Sequence, residues 1–184
     1  MRHFLTAAFT AAMLALPVHA AELGDDGLHK EPWFHDTFKD MSDDLATAND
    51  EGKRFMVIWE QRGCIYCKKM HEEVFSDPDI AKYITDNYYV VQMNLFGDVE
   101  VTDFDGEALP EKEMAMKWGV MFTPTMMFFP EEASDQPANK QAVAQMPGAF
   151  GKGTTMALLE WVKTHGYESG QNFQKYVAEK VMAK

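Results

Sequence analysis

The chain has 184 residues, 46% of them hydrophobic, and a formal net charge of −12 at pH 7. This size fits one domain with an ample apolar core, so the two cysteines are not needed to hold a small fold together. The acidic balance excludes a nucleic-acid partner, because a phosphate backbone would be repelled and no stripe of Lys and Arg is present to overcome the repulsion.

Residues 1–20 have the pattern of a secretory signal peptide. A basic start precedes an apolar run over 4–18 that is too short to span a bilayer comfortably, and Val18-His19-Ala20 offers small residues at the two positions that a signal peptidase reads. An uncleaved anchor is the alternative. We expect cleavage after Ala20 and export to the periplasm. We expect no membrane insertion of the mature chain, because no later segment has the apolar length of a membrane helix.

Residues 21–35 are predicted to form an N-terminal arm, and residues 36–184 one folded domain. The arm contains glycines, charges and few apolar anchors, so we expect it to pack loosely, with Trp33, Phe34 and Phe38 pinning its end to the domain. A helix is predicted over 36–52, where apolar side chains recur at helical spacing and Gly52 is the stop. The apolar run over 55–60 predicts a strand that is covered on both faces.

Both cysteines lie in one motif, Cys64-Ile65-Tyr66-Cys67, between that strand and a predicted helix over 68–75. The start of a helix carries partial positive charge, which stabilises a thiolate. Cys64 is therefore predicted to attack, and Cys67, one turn on, to resolve the mixed disulfide. The intervening Ile65 and Tyr66 tune the redox poise. A structural disulfide is the alternative, although so short a loop restrains the unfolded chain little.

The downstream chain alternates between strands and helices. The predicted strands are 88–94, 125–129 and 141–146, and the predicted helices are 78–87, 110–118, 154–165 and 173–183. The first two strands, joined by a helix, should be parallel, and the last two should form a hairpin. We therefore predict an α/β fold with a central mixed four-stranded sheet flanked by helices. The acidic insertion 97–107 is predicted to be either a solvated hairpin or a docking surface for a basic partner.

A proline precedes the third predicted strand, in Phe122-Thr123-Pro124-Thr125. A sheet tolerates proline at a strand start, because the missing donor is not needed there. A cis bond between Thr123 and Pro124 would turn backbone groups outward and offer a partner chain a short edge to pair with. An ordinary trans turn is the alternative.

A strand followed by CxxC, with this proline loop downstream, resembles the thioredoxin superfamily over roughly residues 36–184. The resemblance implies a thioredoxin-like fold in which the two motifs face each other. It implies a dithiol–disulfide oxidoreductase that acts on protein disulfides or thiols and needs no cofactor beyond its own redox-active disulfide. Thr123, Pro124, Ile65 and Tyr66 would then bind the substrate.

Four loop segments are similar to the SoxW-type periplasmic thioredoxins of bacterial sulfur-oxidation (Sox) systems. The segments are 51–54, 60–67, 101–106 and 172–176. This resemblance implies a substrate with cysteine-bound sulfur among Sox proteins, and a membrane thiol transporter of the CcdA kind as electron donor. We expect a monomer, because the dimerisation domain of periplasmic disulfide isomerases is missing. The alternatives are a disulfide oxidase or isomerase for exported proteins, and a metal-binding chaperone that uses Cys64, Cys67 and His71.

The chain departs from thioredoxins around the motif. Gly63 replaces the usual Trp, Ile65-Tyr66 replaces Gly-Pro, and Ile58 occupies the position of a buried Asp. The nearest acid is Glu60, two residues on and so on the same side of the strand. We predict that Glu60 takes over the proton shuttle for Cys67. The alternative is that Glu60 ends the strand in solvent.

Overall fold

The computed structural model describes residues 22–182. The predicted signal peptide and its cleavage site lie outside the described residues. Between residues 22 and 182, every helix is too short or too polar to cross a membrane.

Short strands and helices alternate along the described chain. The strands are β1 (Glu22–Leu23), β2 (His29–Lys30), β3 (Phe34–His35), β4 (Arg54–Glu60), β5 (Tyr88–Asn94), β6 (Glu100–Thr102), β7 (Ala108–Pro110), β8 (Thr125–Phe128) and β9 (Ala144–Pro147). The helices are α1 (Met41–Asp50), α2 (Ile65–Met70), α3 (Pro78–Asn87), α4 (Glu111–Trp118), α5 (Ala138–Gln141), α6 (Lys152–Lys163) and α7 (Phe173–Met182). A π-helical turn, His71–Phe75, continues α2, and a 3-10 turn, Gly166–Glu168, follows α6.

The central sheet has the strand order β3-β5-β4-β8-β9. Strands β4 and β5 are parallel, whereas β8 is antiparallel to both β4 and β9. The predicted mixed sheet of a thioredoxin-like fold is confirmed. It has a fifth strand beyond the four predicted, because β3 of the arm pairs in parallel with the outer edge of β5.

Strand β4 is buried along its whole length and separates two hydrophobic clusters. Val57 and Trp59 pack on one face with side chains of α1 and α4. Met56 and Ile58 pack on the other face with side chains of α2, the π turn, α3 and α6. Because side chains alternate along a strand, Glu60 points to the same face as Ile58, which is the side that carries α2.

The expectation of a loosely packed arm is wrong. Strands β1 and β2 pair with each other, and Leu28 and Trp33 are buried. The Trp33 ring meets the Phe75 ring edge to face at a centroid distance of 5.3 Å. Leu28 and Trp33 are the apolar side chains that fix the arm against the domain.

Two element boundaries that differ from the predicted ones have a local cause. Helix α1 begins at Met41, since the Asp40 carboxylate accepts hydrogen bonds from the N–H groups of Ser42 and Asp43. Strand β9 begins at Ala144, because residues 138–141 form the short helix α5.

The acidic insertion folds as the hairpin β6–β7, with Gly106 at its tip in the left-handed region at φ 80°. Lys117 of α4 pairs with Asp103, Asp105 and Glu107, which lowers the pKa of Asp105. Phe104 is buried in the cluster on the α1 side of the sheet. The loop of the hairpin, residues 103–107, is therefore fastened to the domain through the buried Phe104 and through Lys117 of α4.

Candidate active site

Cys64 and Cys67 form a disulfide where β4 has ended and α2 begins. Gly63 makes the turn into the helix at φ 72°, a backbone conformation that glycine adopts at no steric cost. Cys64 is the N-cap of α2, and its sulfur accepts a hydrogen bond from the Cys67 N–H at 3.0 Å. Cys64 is 7% exposed and Cys67 is 0% exposed. A partner's sulfur can therefore reach Cys64, and Cys67 lies behind it.

The proline loop lies against the same sulfur, although it is 59 positions away in the sequence. The Thr123 hydroxyl donates to Cys64 Sγ at 3.3 Å, and the Thr123 carbonyl oxygen lies 3.4 Å from that sulfur. The Thr123–Pro124 peptide bond is cis, and the Pro124 ring is buried beneath the loop. The fold thus brings together the two motifs that the sequence singled out.

A shallow cleft of about 330 Å³ opens at the disulfide. Its walls include Ile65 and Tyr66 of the motif on one side and Met121 and Phe122 on the other. Ile65 is 73% exposed and Met121 is 75% exposed, so both present apolar surface to solvent. A larger cleft of about 530 Å³ lies between the arm and the start of α4 and contains neither cysteine.

Glu60 is buried, with 1% of its surface exposed, so the alternative that it ends the strand in solvent is wrong. Gln92 of β5 donates to Glu60 Oε2 at 2.6 Å. His71 Nε2 lies 2.8 Å from Glu60 Oε1. The carboxylate is therefore held at both oxygens, on the side of the sheet that carries Cys67.

His71 follows Cys67 by one helical turn and is buried between two carboxylates. Its Nδ1 lies 2.8 Å from Glu31 Oε1, and its Nε2 faces Glu60. Burial by itself would lower the pKa of His71, but the hydrogen bonds and charges of Glu31 and Glu60 outweigh it and raise the pKa to about 9. The ring is therefore a charged imidazolium at neutral pH and donates from both nitrogens.

The metal set of the chaperone alternative, Cys64, Cys67 and His71, is not assembled. The two sulfurs are bonded to each other, and both nitrogens of His71 are taken by carboxylates. His29 stacks on the His71 ring at a centroid distance of 4.7 Å. Burial, followed by the positive charge of His71, lowers the pKa of His29. His29, Glu60 and His71 thus form one cluster, a hydrogen-bonded pair with an imidazole stacked on it, whose potential ligand atoms all lie within 4.8 Å of one another.

Sequence reasoning missed Glu31 and Gln92. Glu31 is 40 positions from the histidine that it contacts, so no local spacing relates the two. Gln92 lies within a strand whose apolar neighbours dominate the pattern. The one available signal was the unusual pair of polar side chains, Glu60 and Gln92, within two otherwise apolar strands.

Comparison with known proteins identifies the family. Residues 41–163 match the Thioredoxin-like domain family. The chain belongs to that family. Two solved structures share the fold. They are a thioredoxin-fold protein from Helicobacter pylori (17% identity, TM-score 0.55, 72% of this chain and 87% of that one) and a thioredoxin from Thermus thermophilus (23% identity, TM-score 0.53, 71% of this chain and 89% of that one).

One curated relative is the thiol:disulfide interchange protein DsbD of Colwellia psychrerythraea. It is 25% identical over 89 residues, which is 48% of this chain and 13% of that protein. The chain thus covers only a small part of the relative's length. The CxxC disulfide and the thioredoxin-like domain together make this family member a dithiol–disulfide oxidoreductase.

Proposed function

We propose that the protein is a periplasmic thioredoxin-like reductase that passes electrons from the Cys64–Cys67 dithiol to disulfides of other proteins. The observation that carries the proposal is the asymmetry of the bonded pair. Cys64 is the sulfur at the surface, inside an apolar cleft, and Cys67 is sealed behind it. One sulfur is thereby suited to attack a partner, and the other to release it.

The reaction follows from this arrangement. The Cys64 thiolate attacks one sulfur of the partner disulfide, the partner's S–S bond breaks, and a mixed disulfide forms with Cys64. Cys67 then loses its proton and attacks Cys64 Sγ. The mixed disulfide breaks, the partner leaves as a dithiol, and the Cys64–Cys67 bond forms. Two electrons have passed from the protein to its partner.

Neighbouring groups stabilise the Cys64 thiolate in this scheme. The Cys67 N–H and the Thr123 hydroxyl both point at Cys64 Sγ, at 3.0 Å and 3.3 Å. Hydrogen bonds to the charged form of a group favour that form. Glu60 is the base that we assign to the proton of Cys67, since it is the buried carboxylate on that side of the sheet.

The walls of the cleft bind the partner in this proposal. Ile65, Tyr66, Met121 and Phe122 offer apolar surface around Cys64, and methionine adapts its shape to different partners. Thr123 and Pro124 form the backbone edge beside the sulfur.

The loops that are similar to SoxW-type thioredoxins support a narrower proposal. The substrate class is then cysteine-bound sulfur on Sox proteins, and a membrane thiol transporter of the CcdA kind supplies the electrons. The periplasm is kept oxidising kinetically, so a reductase there needs such a supply. The signal-peptide pattern in residues 1–20 supports the periplasmic location, and we propose that the protein acts as a monomer.

The deciding experiment is the reduction potential of the Cys64–Cys67 pair, measured by equilibration against a dithiol redox buffer. A value near that of thioredoxin, about −270 mV, is expected for a reductase. A value near about −120 mV would make the protein an oxidant and overturn the reductase and Sox assignments together. Cys67→Ser should trap the mixed disulfide with a partner, whereas Cys64→Ser, the matched control, should trap none.

A further inference from the structure

A network of polar side chains connects the arm to the segment that carries Cys67. Glu31 contacts His71 Nδ1 at 2.8 Å, and His71 Nε2 contacts Glu60 Oε1 at 2.8 Å. Gln92 donates to Glu60 Oε2 at 2.6 Å and to the His29 carbonyl oxygen at 2.8 Å. This network therefore begins at Glu31 on the arm, passes through His71 and ends at the Glu60 carboxylate in β4.

This network of side chains lies next to Cys67. The backbone N–H of His71 bonds to the Cys67 carbonyl oxygen, so the two residues are one turn apart on the same face. Residues at this spacing have Cβ atoms about 5–6 Å apart. Glu60 points to this side of the sheet, and both Cys67 and His71 are buried. Of the two carboxylates that contact His71, Glu60 is the one on a strand of the sheet and the more deeply buried.

We infer that Glu31 and His71 are positioning residues that hold the Glu60 carboxylate on the side of the sheet that carries Cys67, so that the N-terminal arm takes part in the resolving step. The inference rests on the proposed function, since it concerns the second half of that reaction. His71 contacts Glu60 through Nε2, and Glu31 contacts the other ring nitrogen and so fixes the direction of the ring. Without Glu31 the ring is free to turn, and Glu60 loses part of the contact that holds it in place.

The proton balance of the step is simple. The Cys67 thiol transfers its proton to the Glu60 carboxylate, and the Cys67 thiolate attacks Cys64 Sγ. The bond between Cys64 and the partner breaks, and the partner's thiolate leaves and takes a proton from water. Glu60 then releases that proton to solvent, so the oxidised protein again holds the carboxylate beside His71, and Cys67 takes up a proton from solvent when the protein is reduced again. The dithiol is the only reductant that the step requires.

Other charged groups surround this network and contribute to the electrostatic potential at His71 and Glu60. Lys30 donates to Gln92 Oε1 at 2.9 Å and pairs with Asp26. Lys68 and Glu72 lie on the segment that carries His71 and act on the neighbouring His29 with opposite signs. His29 itself is stacked on His71. None of these groups bonds directly to His71 or Glu60, so the two carboxylates remain the direct partners of the ring.

The test is a stopped-flow reaction of the reduced protein, in excess, with dithiobis(nitrobenzoate). Attack by Cys64 releases a first nitrothiobenzoate, and resolution by Cys67 releases the second, so the two half-reactions appear as separate phases. Cys67→Ser identifies the second phase by removing it. The pH midpoint of each phase is measured for the wild type, Glu31→Gln and Glu22→Gln. Glu22→Gln is the matched control, because it removes the same charge from an exposed position of the same arm.

Glu31→Gln should shift the midpoint of the second phase by about 0.5 to 1 pH unit and leave the first phase unchanged. His71→Gln should move the second phase further in the same direction. If His71→Gln does not fold, the result for Glu31→Gln is sufficient to test the inference. A second-phase midpoint in Glu31→Gln that equals those of the wild type and Glu22→Gln overturns the inference. A wild type that shows no second phase overturns the proposed function instead.

Discussion

The ion pair of His71 predicts how the stability of the oxidised protein changes at alkaline pH. Its pKa is raised from the ordinary 6.5 to about 9 by Glu31 and Glu60, against the effect of burial. The folded protein therefore holds a proton that the unfolded chain has released. The stabilisation is complete below pH 6.5 and is lost as the pH rises through about 9.

The magnitude follows from the shift. Each unit of pKa corresponds to 1.36 kcal/mol, so a shift of this size contributes about 3 kcal/mol at low pH. Between pH 7 and pH 9.5 the free energy of unfolding should fall by about 2 kcal/mol from this group. The window ends below the ordinary pKa values of tyrosine and lysine, about 10 and 10.4, so most of these groups stay protonated within it.

The measurement is urea unfolding of the oxidised protein at pH 7 and pH 9.5, for the wild type, Glu31→Gln and Glu22→Gln. Glu31→Gln should lose clearly less free energy across the window, because His71 then has one carboxylate fewer and a smaller shift to give up. Glu22→Gln should lose as much as the wild type. A wild-type loss below about 0.5 kcal/mol, or equal losses in Glu31→Gln and the wild type, would refute the charged His71 pair.

Two further predictions concern the cleft and α1. Met121→Asn and Phe122→Asn, which add no charge, should each slow the reduction of a protein disulfide by about tenfold and leave dithiobis(nitrobenzoate) unaffected, because the apolar walls act on large partners only. Met116→Asn, exposed on α4 and outside the cleft, is the control, and equal slowing with both substrates would contradict a docking role. Burial raises the pKa of Asp44 to about 6 despite its hydrogen bond from Thr37, so ionised Asp44 is a cost above pH 6 that disappears below 3.8. Asp44→Asn should therefore stabilise the protein by about 1 to 2 kcal/mol at pH 8, with solvent screening allowed for, and by nothing at pH 4. Urea midpoints at the two pH values measure this, and a gain of equal size at both would count against the buried carboxylate.

The parts of the fold that the sequence predicted are those with a local signal. The run over 55–60 is apolar on both faces because β4 is central in the sheet, and that pattern is legible without tertiary knowledge. The hairpin of the acidic insertion follows from Asp105-Gly106, since the glycine supplies the positive φ at the tip. The cysteine motif and Pro124 were found by their position relative to predicted strands.

The parts that the sequence left open depend on distant contacts. The burial of Glu60 was undecided, because a residue at a strand end faces solvent or core according to what packs over it. Here the covering groups are His71 and Gln92. The contact of Trp33 was expected and Phe38 is exposed instead, but the strand pairing of the arm was missed because a two-residue strand such as β3 has no periodicity to detect. Glu31 gains its role only once the arm is folded back onto the domain.

Strand β3 covers an edge of the central sheet that could otherwise pair with another copy of the protein. It covers the outer edge of β5 with only two residue pairs, Phe34 with Val90 and His35 with Val91. The N–H and C=O groups along an uncovered edge strand are a template for another chain, and the residues of β5 are almost all buried and apolar. A protein trimmed to begin at residue 36 would present this bare edge, and we expect it to polymerise edge to edge through β5. The arm residues before the domain thus cover the sheet edge, and we expect them to prevent a further strand from pairing with it.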